Sequence, residues 1–408
     1  MPRLDEVWRD QWGRLLALLV AQFRRLDLAE DALAEAFEAA ARSWGEEPPA
    51  NPPAWLLTAA RRRAVDRLRA EAVAARKQPL LVVDARTQQE AERHMADTGE
   101  PLLDQRLRLV LMCAHPSLAP ESAAALSLRL VLGVPTEDIA RLFLVQPATM
   151  AARLTRARKK LALAGVPFAL PDEATLAERV EVVARVGYLA FTAGYAPTSG
   201  PDLLRVDAAD DAVRLVRVLH EVLPRGALLD SLLALVLLQH SRRDARVGPD
   251  GGLVLLPDQD RSRWRQDEIA EALALLTPLV SSADPATPYL LEALIAAEHA
   301  VAPTAEATAW PRIADLYAEL EDLTGSPVVR LNRAVAVAEA HGAPAGLAVL
   351  EGVDLPGNHR LPAVRAELLA RAGRPQEARA AFDEALALSG NDVERRFLSA
   401  RRAALGNA

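Results

Sequence analysis

Residues 120–161 read PESAAALSLRLVLGVPTEDIARLFLVQPATMAARLTRARKKL. Pro120 opens an apolar helix that runs to Leu132 and is closed by Gly133, since glycine readily takes the left-handed conformation at a helix end. Thr136 then offers an N-cap, with Glu137 and Asp138 in the first turn, where carboxylates complement the helix dipole. A short helix is expected from Glu137 to Leu144. The chain turns through Val145, Gln146 and Pro147, proline being suited to the first turn of the next helix, expected from Pro147 to Leu163. Helix, tight turn, helix is the outline of a DNA-reading unit.

At about 100° per residue, Leu154, Ala157 and Leu161 fall within roughly 40° of Met150 and form a narrow apolar stripe. Thr149, Ala152, Arg153, Arg156, Lys159 and Lys160 occupy the opposite arc, four cations with no acid among them. On a helix presented to the major groove, Arg153 and Arg156 are placed to reach guanine edges, and Lys159 and Lys160 to hold phosphates. The alternative is a solvated basic helix without a ligand, which the helix-turn-helix outline in front of it disfavours.

Upstream, a second basic helix carries Trp55, Arg61, Arg62, Arg63, Arg67 and Arg69 against the single acid Asp66. Cationic grooves and stacking rings hold single-stranded DNA, so this helix is a candidate for phosphates with Trp55 near bases. The alternative reading makes Trp55 a core residue packed with Leu56 and Leu68. The helix before it, acidic at Asp27, Glu30, Asp31, Glu35 and Glu38 and apolar at Leu28, Ala32 and Phe37, is either a solvated face or a protein-docking surface.

The chain has 408 residues and a net charge of −7, with 51% hydrophobic and 25% charged residues. That length exceeds the roughly 250–300 residues at which single cores stop growing, so more than one domain is expected. Mild acidity argues against a nucleic-acid partner only as an average. Up to Gly165 there are 24 basic and 21 acidic residues; beyond it there are 24 basic and 34 acidic. Ala, Leu, Arg and Glu dominate and period-2 alternation is nearly absent, so the fold class is all-α. The longest apolar runs, Leu15–Ala21 and Leu232–Leu238, fall far short of the roughly 20 residues that span a bilayer. With no secretory signal pattern and a single cysteine, Cys113, the expectation is a cytoplasmic protein without disulfide, metal or cofactor.

The proline-dense loop from Trp44 to Pro53, the weakly patterned stretch from about Ala72 and the Ala164–Pro171 break divide the chain. The expected domains are residues 1–71, a linker at 72–101, residues 102–164, and a helical extension at 165–408. Around Gly373, the offsets of Ala378, Phe382 and Ala385 give the second-helix signature of a tetratricopeptide repeat over 361–390, with a partial echo at Gly342. A dense polar stretch in the extension, Asp250-Gly251-Gly252 and Asp258-Gln-Asp260-Arg261-Ser-Arg-Trp264, near helices bearing His240 and His299, raises the alternative of an enzyme using Asp258 and Asp260. No P-loop, dinucleotide fingerprint, zinc-protease motif or nucleophile elbow accompanies it, and turn chemistry with ion pairing explains it more simply. A non-catalytic helical-repeat scaffold would account for the extension but not for the cationic face of 147–163.

The residues carry a resemblance. Glu30-Asp31-Ala-Leu-Ala-Glu35-Ala-Phe37, then Pro53-Ala-Trp55-Leu56 and Ala60-Arg-Arg-Arg-Ala-Val-Asp66-Arg67-Leu-Arg69, resembles region 2 of an extracytoplasmic-function (ECF) sigma factor. Glu137-Asp-Ile139-Ala140 with Ala148-Thr149-Met150, Arg153 and Arg156-Ala157-Arg158 resembles its region 4 helix-turn-helix. His115-Pro116-Ser-Leu-Ala-Pro120, Asp250-Gly251-Gly252, Asp258 to Trp264, Ser326-Pro-Val, Leu331-Asn332-Arg333-Ala334-Val335 and the repeat near Gly373 are similar to the subgroup with a long tetratricopeptide-like C-terminal extension. The resemblance implies a non-catalytic partner of core RNA polymerase. Region 2, with Glu30, Asp31, Glu35 and Phe37, would bind the β′ clamp helices, and Trp55 with Arg61, Arg62, Arg63, Arg67 and Arg69 would act on the melted −10 strand. Region 4, with Thr149, Arg153, Arg156, Arg158, Lys159 and Lys160, would read the double-stranded −35 element and contact the β flap. Asp250, Gly251, Gly252, Asp258, Asp260, Arg261 and Trp264 would belong to an extension that regulates activity in cis or through a protein partner. Two positions depart from the family pattern: Ala34 stands where glutamine is common, and Met112-Cys113 where the subgroup often has paired cysteines.

Overall fold

The computed structural model describes residues 4–44, 49–74, 100–143, 145–166, 168–195, 206–223, 226–246, 248, 254–282, 285–390 and 392–405. They form eighteen α-helices and a few 3-10 turns, and there is no strand among the described residues, which is the all-α fold expected. The chain divides into two compact units. One holds residues 1–141, 145–190 and 217–224; the other holds 142–144, 191–216 and 225–408.

The first unit is organised by α1 (Leu4–Phe23). Trp12, Gly13 and every residue from Leu15 to Val20 are buried. A helix apolar on all sides needs neighbours on all sides. Helices α2 (Leu26–Ser43) and α3 (Pro52–Ala74) pack on it, and so do α4 (Glu100–Cys113) and α5 (Pro120–Leu132). Most of the linker expected at 72–101 lies outside the described residues.

Helix α5 ends at Gly133, whose φ of 73° is the left-handed cap anticipated from the sequence. Helix α6 (Thr136–Leu142) follows, and α7 (Pro147–Leu163) packs back on α5. Thr136 is the first residue of α6 rather than its cap; the Pro135 carbonyl accepts the Ile139 N–H at 3.0 Å. Helix α8 (Glu173–Tyr195) belongs to this unit through Ala190, and Arg179 donates to the Leu111 carbonyl at the end of α4.

In the second unit α10 (Ala227–His240) is buried along most of its length and packs on α11 (Gln266–Val280) and α12 (Pro288–Val301). Helix α9 (Val206–Val222) joins this unit through Val216. Successive neighbours then follow: α13 (Trp310–Thr324), α14 (Pro327–His341), α15 (Ala343–Val349), α16 (Arg360–Arg371), α17 (Pro375–Leu388) and α18 (Asp392–Ala404). Their apolar residues gather in consecutive clusters around Ile313, Leu331 and Phe382, the one-dimensional stacking of a repeat array. The repeat signature corresponds to α16 and α17, joined through Gly373 at φ 72°, with Ala378, Phe382 and Ala385 all buried. The upstream echo is truncated to the seven residues of α15, where Gly346 rather than an Ala-aromatic-Ala set permits close approach: a Cβ there would lie 2.6 Å from the Ala334 carbonyl oxygen.

Both histidines flagged in the extension are packed. The ring nitrogens of His240 stand 2.7 Å from Asp210 and 3.1 Å from Glu268, and Arg243 pairs with Glu268 at 2.9 Å. His299 lies edge-on to Trp310 with ring centroids 5.2 Å apart. Burial, aided by the charges of Arg242 and Arg261, pushes its pKa down to about 4. The unfolded chain therefore takes up a proton below about pH 6.5 that the folded chain refuses until about pH 4, so stability falls as pH drops through that window. The full effect is on the order of 3 kcal/mol. Thermal unfolding of wild type and His299→Phe between pH 7 and pH 4 is expected to show a shallower acid-side loss in the variant; equal slopes would mean that His299 titrates normally.

Candidate nucleic-acid and polymerase interface

Helix α7 presents two faces. Met150, Leu154, Ala157 and Leu161 are the buried stripe, and they alone are buried on this helix. Thr149, Ala152, Arg156, Lys159 and Lys160 are exposed, and Arg153 is half-buried at the margin. Pro147 occupies the first turn. The helix-turn-helix is closed from behind by Ile139 and Ala140 of α6, both fully buried.

Arg158 does not belong to that outer face. At about 80° from Met150 on the wheel it sits toward the apolar side. Its guanidinium reaches Glu30 of α2 at 2.7 Å, and Arg129 of α5 reaches the same carboxylate at 2.8 Å. Glu30 is 6% exposed. A carboxylate so enclosed requires paired cations, and here it has two.

The α2 surface expected to meet polymerase is thus divided. Asp31 is exposed and pairs with Arg67 at 2.8 Å; Glu35, half-buried, pairs with Arg67 and with Arg63 at 3.5 Å. Phe37 lies in an aromatic cluster, its ring 4.7 Å from Trp8 and 6.0 Å from Trp12, and is buried. On α3, two of the arginines assigned to the −10 strand are therefore turned toward the acids of α2. Arg62 and Arg69 are exposed, the latter beside Asp66 at 3.4 Å, and Arg61 is half-buried. Trp55 is half-buried and edge-on to Trp44, at the end of α2, with ring centroids 5.4 Å apart.

In the extension, Asp250, Gly251 and Gly252 lie outside the described residues. Asp258 and Asp260 are exposed. Asp260 caps a 3-10 turn, accepting the Ser262 N–H at 2.9 Å and the Ser262 hydroxyl at 2.6 Å, and these bonds hold its pKa below the usual carboxylate range. Arg261 donates to the carbonyls of His299 and, at 2.8 Å, Ala302, closing the C-terminus of α12. Its guanidinium lies 4.7 Å from the ring centroid of Trp264, which is 3% exposed. The polar stretch fastens a loop to a helix end.

Comparison with known proteins gives the same order of parts. Residues 11–73 match the family model "Sigma-70 region 2", and residues 108–161 match "Sigma-70, region 4". Residues 179–279 match a family of unknown function, DUF6596. An uncharacterized protein of Rhizobium meliloti (strain 1021) is 41% identical over 386 residues, covering 94% of this chain and 91% of its own. The chain belongs to the ECF-like sigma-70 factors that carry a C-terminal extension. As a sigma factor it serves promoter-directed transcription by binding core RNA polymerase and promoter DNA. Region 2 of this sigma factor comprises most of α1 with α2 and α3; region 4 runs from α4 through α7. Among the described residues no helix is long and apolar enough to cross a membrane.

The two kinds of acid on α2 are expected to differ in stability. Glu30→Ala leaves Arg129 and Arg158 facing a buried void and should cost about 2–4 kcal/mol. Asp31→Ala removes an exposed pair and should cost less than about 1 kcal/mol. Denaturant titration of both variants checks the contrast, and equal losses would contradict the burial of Glu30.

Proposed function

We propose that the chain directs initiation with the roles divided between its two DNA-facing helices. Thr149, Arg153 and Arg156 of α7 contact the −35 bases, and Lys159 and Lys160 hold flanking phosphates, while the same region meets the β flap. Residues 1–71 act on the β′ clamp helices and the melted −10 strand, 102–164 on the −35 element, and 165–408 in regulation. Asp31 and Glu35 present the acidic surface to polymerase, and Phe37 supports it from inside. Trp55, Arg61, Arg62 and Arg69 serve the −10 strand, joined by Arg63 and Arg67 when their pairing with α2 is exchanged for phosphates.

The observation that carries this reading is the split of α7, the second helix of the helix-turn-helix, into a wholly buried apolar stripe and a cationic outer face. Promoter-specific transcripts are expected from purified protein with core polymerase; none across a genomic promoter set would defeat the reading. Arg153→Ala should cost about 1–3 kcal/mol of promoter affinity and relax preference at one position. Lys160→Ala should weaken all sequences alike and lower the salt slope by about 1. Binding curves over salt and over base substitutions separate the two, and uniform losses in both would refute the division of roles.

The extension, including Asp258, Asp260, Arg261, Trp264 and the repeat, regulates activity in cis or through a protein partner. Its support is a repeat array attached to DNA-binding regions and the acidic excess beyond Gly165. A chain ending at Asn358 removes α16 to α18, the terminal members of a stack in which neighbours depend mainly on neighbours. Promoter output is expected to change several-fold in that chain; unchanged output with unchanged polymerase binding would remove the regulatory role of the repeat.

A further inference from the structure

The second unit encloses an ionic group that the promoter reading leaves without a role. The His240 side chain, at the C-terminal end of α10, is 4% exposed and stands between two carboxylates. Its Nε2 lies 2.7 Å from Asp210 of α9, and its Nδ1 3.1 Å from Glu268 of α11. Arg243, in the turn after α10, reaches both acids, at 2.9 Å to Glu268 and 3.7 Å to Asp210, and its Nη1 lies 2.9 Å from His240 Nδ1. Around these four, Arg265 acts on Asp210 electrostatically while pairing with Asp244 at 2.6 Å, and Asp211 pairs with Arg214 along α9 at 3.0 Å. Helix α12 also packs on α10, but its own histidine, His299, lies against Trp310 and feels the charges of Arg242 and Arg261.

Charge balance decides which protonation state suits this arrangement. Two carboxylates against one guanidinium leave a negative charge over, and an imidazolium brings the enclosed group to neutrality. The imidazolium also has an N–H for each acid, whereas neutral imidazole has one. Burial acts to lower the His240 pKa, but the bonds to Asp210 and Glu268 outweigh it and set the pKa above its ordinary value of 6.5. Without the proton, Nδ1 can accept from Arg243, which stays with Glu268, and the surplus negative charge is relieved most easily at Asp210. That side chain is 47% exposed, against 13% for Glu268, so hydration favours its release. The part of α9 within this unit, 206–216, is otherwise held by the buried Ala209, Ala212, Val213, Leu215 and Val216. We propose that the four side chains form a proton-operated clasp: the imidazolium ties α9 to α10 and α11, and loss of its proton frees Asp210 and loosens 206–216. Because the folded pKa lies above that of the unfolded chain, the contribution of the clasp is complete below about pH 6.5 and is lost as pH rises through the folded pKa. His299 titrates on the acid side of that value, so the two effects occupy separate windows.

The test uses the full chain and needs neither polymerase nor promoter, so its outcome is independent of the sigma reading. Histidine-selective NMR gives the His240 pKa, assigned by the signal lost in His240→Gln. Hydrogen exchange, corrected for its intrinsic dependence on pH, gives the protection of 206–216 and of 229–238 in α10. Wild type is expected to show a His240 pKa above about 6.5. Between about pH 6.5 and about pH 9, protection of 206–216 should fall about tenfold for each pH unit by which that pKa exceeds about 6.5, with 229–238 unchanged. His240→Gln, which cannot take the charge, should leave 206–216 weakly protected at every pH. Should that variant fail to fold, Asp210→Asn, at a half-exposed position, is expected to bring the His240 pKa down and to flatten the response of 206–216. A wild-type His240 pKa at or below about 6.5, protection of 206–216 that is constant with pH, or an unaltered response in Asp210→Asn each overturns the clasp. An equal fall in 206–216 and 229–238 would mean that the unit loosens as a whole, and it overturns the clasp as well.

Discussion

The burial of Trp12, Gly13 and Leu15 to Val20 on α1 obliges helices to pack around it, and the organisation of the first unit follows from that demand. Region 2 alone supplies α2 and α3, which leaves part of the helix uncovered. Region 4 supplies α4 and α5, and α5 comes close because Gly13 presents no side chain to Val131. Because α7 is packed on α5, the placement of the DNA-reading helix depends on the same burial.

Charge is arranged around that core by depth. At the surface the acids of α2 and the arginines of α3 neutralise one another in partly exposed pairs, which solvent screens. Deeper, Glu30 with its two arginines is an interaction that cannot be half removed. On the outer face of α7, Arg156, Lys159 and Lys160 are exposed. In the extension, Asp210, His240, Arg243 and Glu268 form another enclosed ionic group. Burial alone would lower the His240 pKa, yet bonding to Asp210 and Glu268 outweighs it and the pKa is raised.

What the sequence made legible was whatever has a period or a local geometry. The stripe of Met150, Leu154, Ala157 and Leu161, the cap at Gly133, the bounds of α7 and the Ala378-Phe382-Ala385 pattern need only neighbours within a few turns, and each is found in place. Pairings between distant residues leave no such trace. Nothing within a helical turn of Glu30 announces that its partners stand 99 and 128 positions away. The wheel did hold one usable signal, since Arg158 falls outside the arc of the other cations. Phe37 had another: its place on the apolar side of α2, with Leu28 and Ala32, describes a core residue. Leu15–Ala21 was informative chiefly for being too short to span a membrane, although a run apolar on all faces also describes a helix surrounded by others.

The attachment of Arg261 to the end of α12 bears on how this protein would behave under genetic selection. Arg261 satisfies helix-terminal carbonyls and lies against the Trp264 ring. Losing it would loosen the extension and lower the amount of intact protein in the cell, because modest destabilisation feeds chaperones and proteases. A screen scored on promoter output would record such a strain as defective in transcription. Steady-state protein level, measured beside output, would assign the defect to abundance.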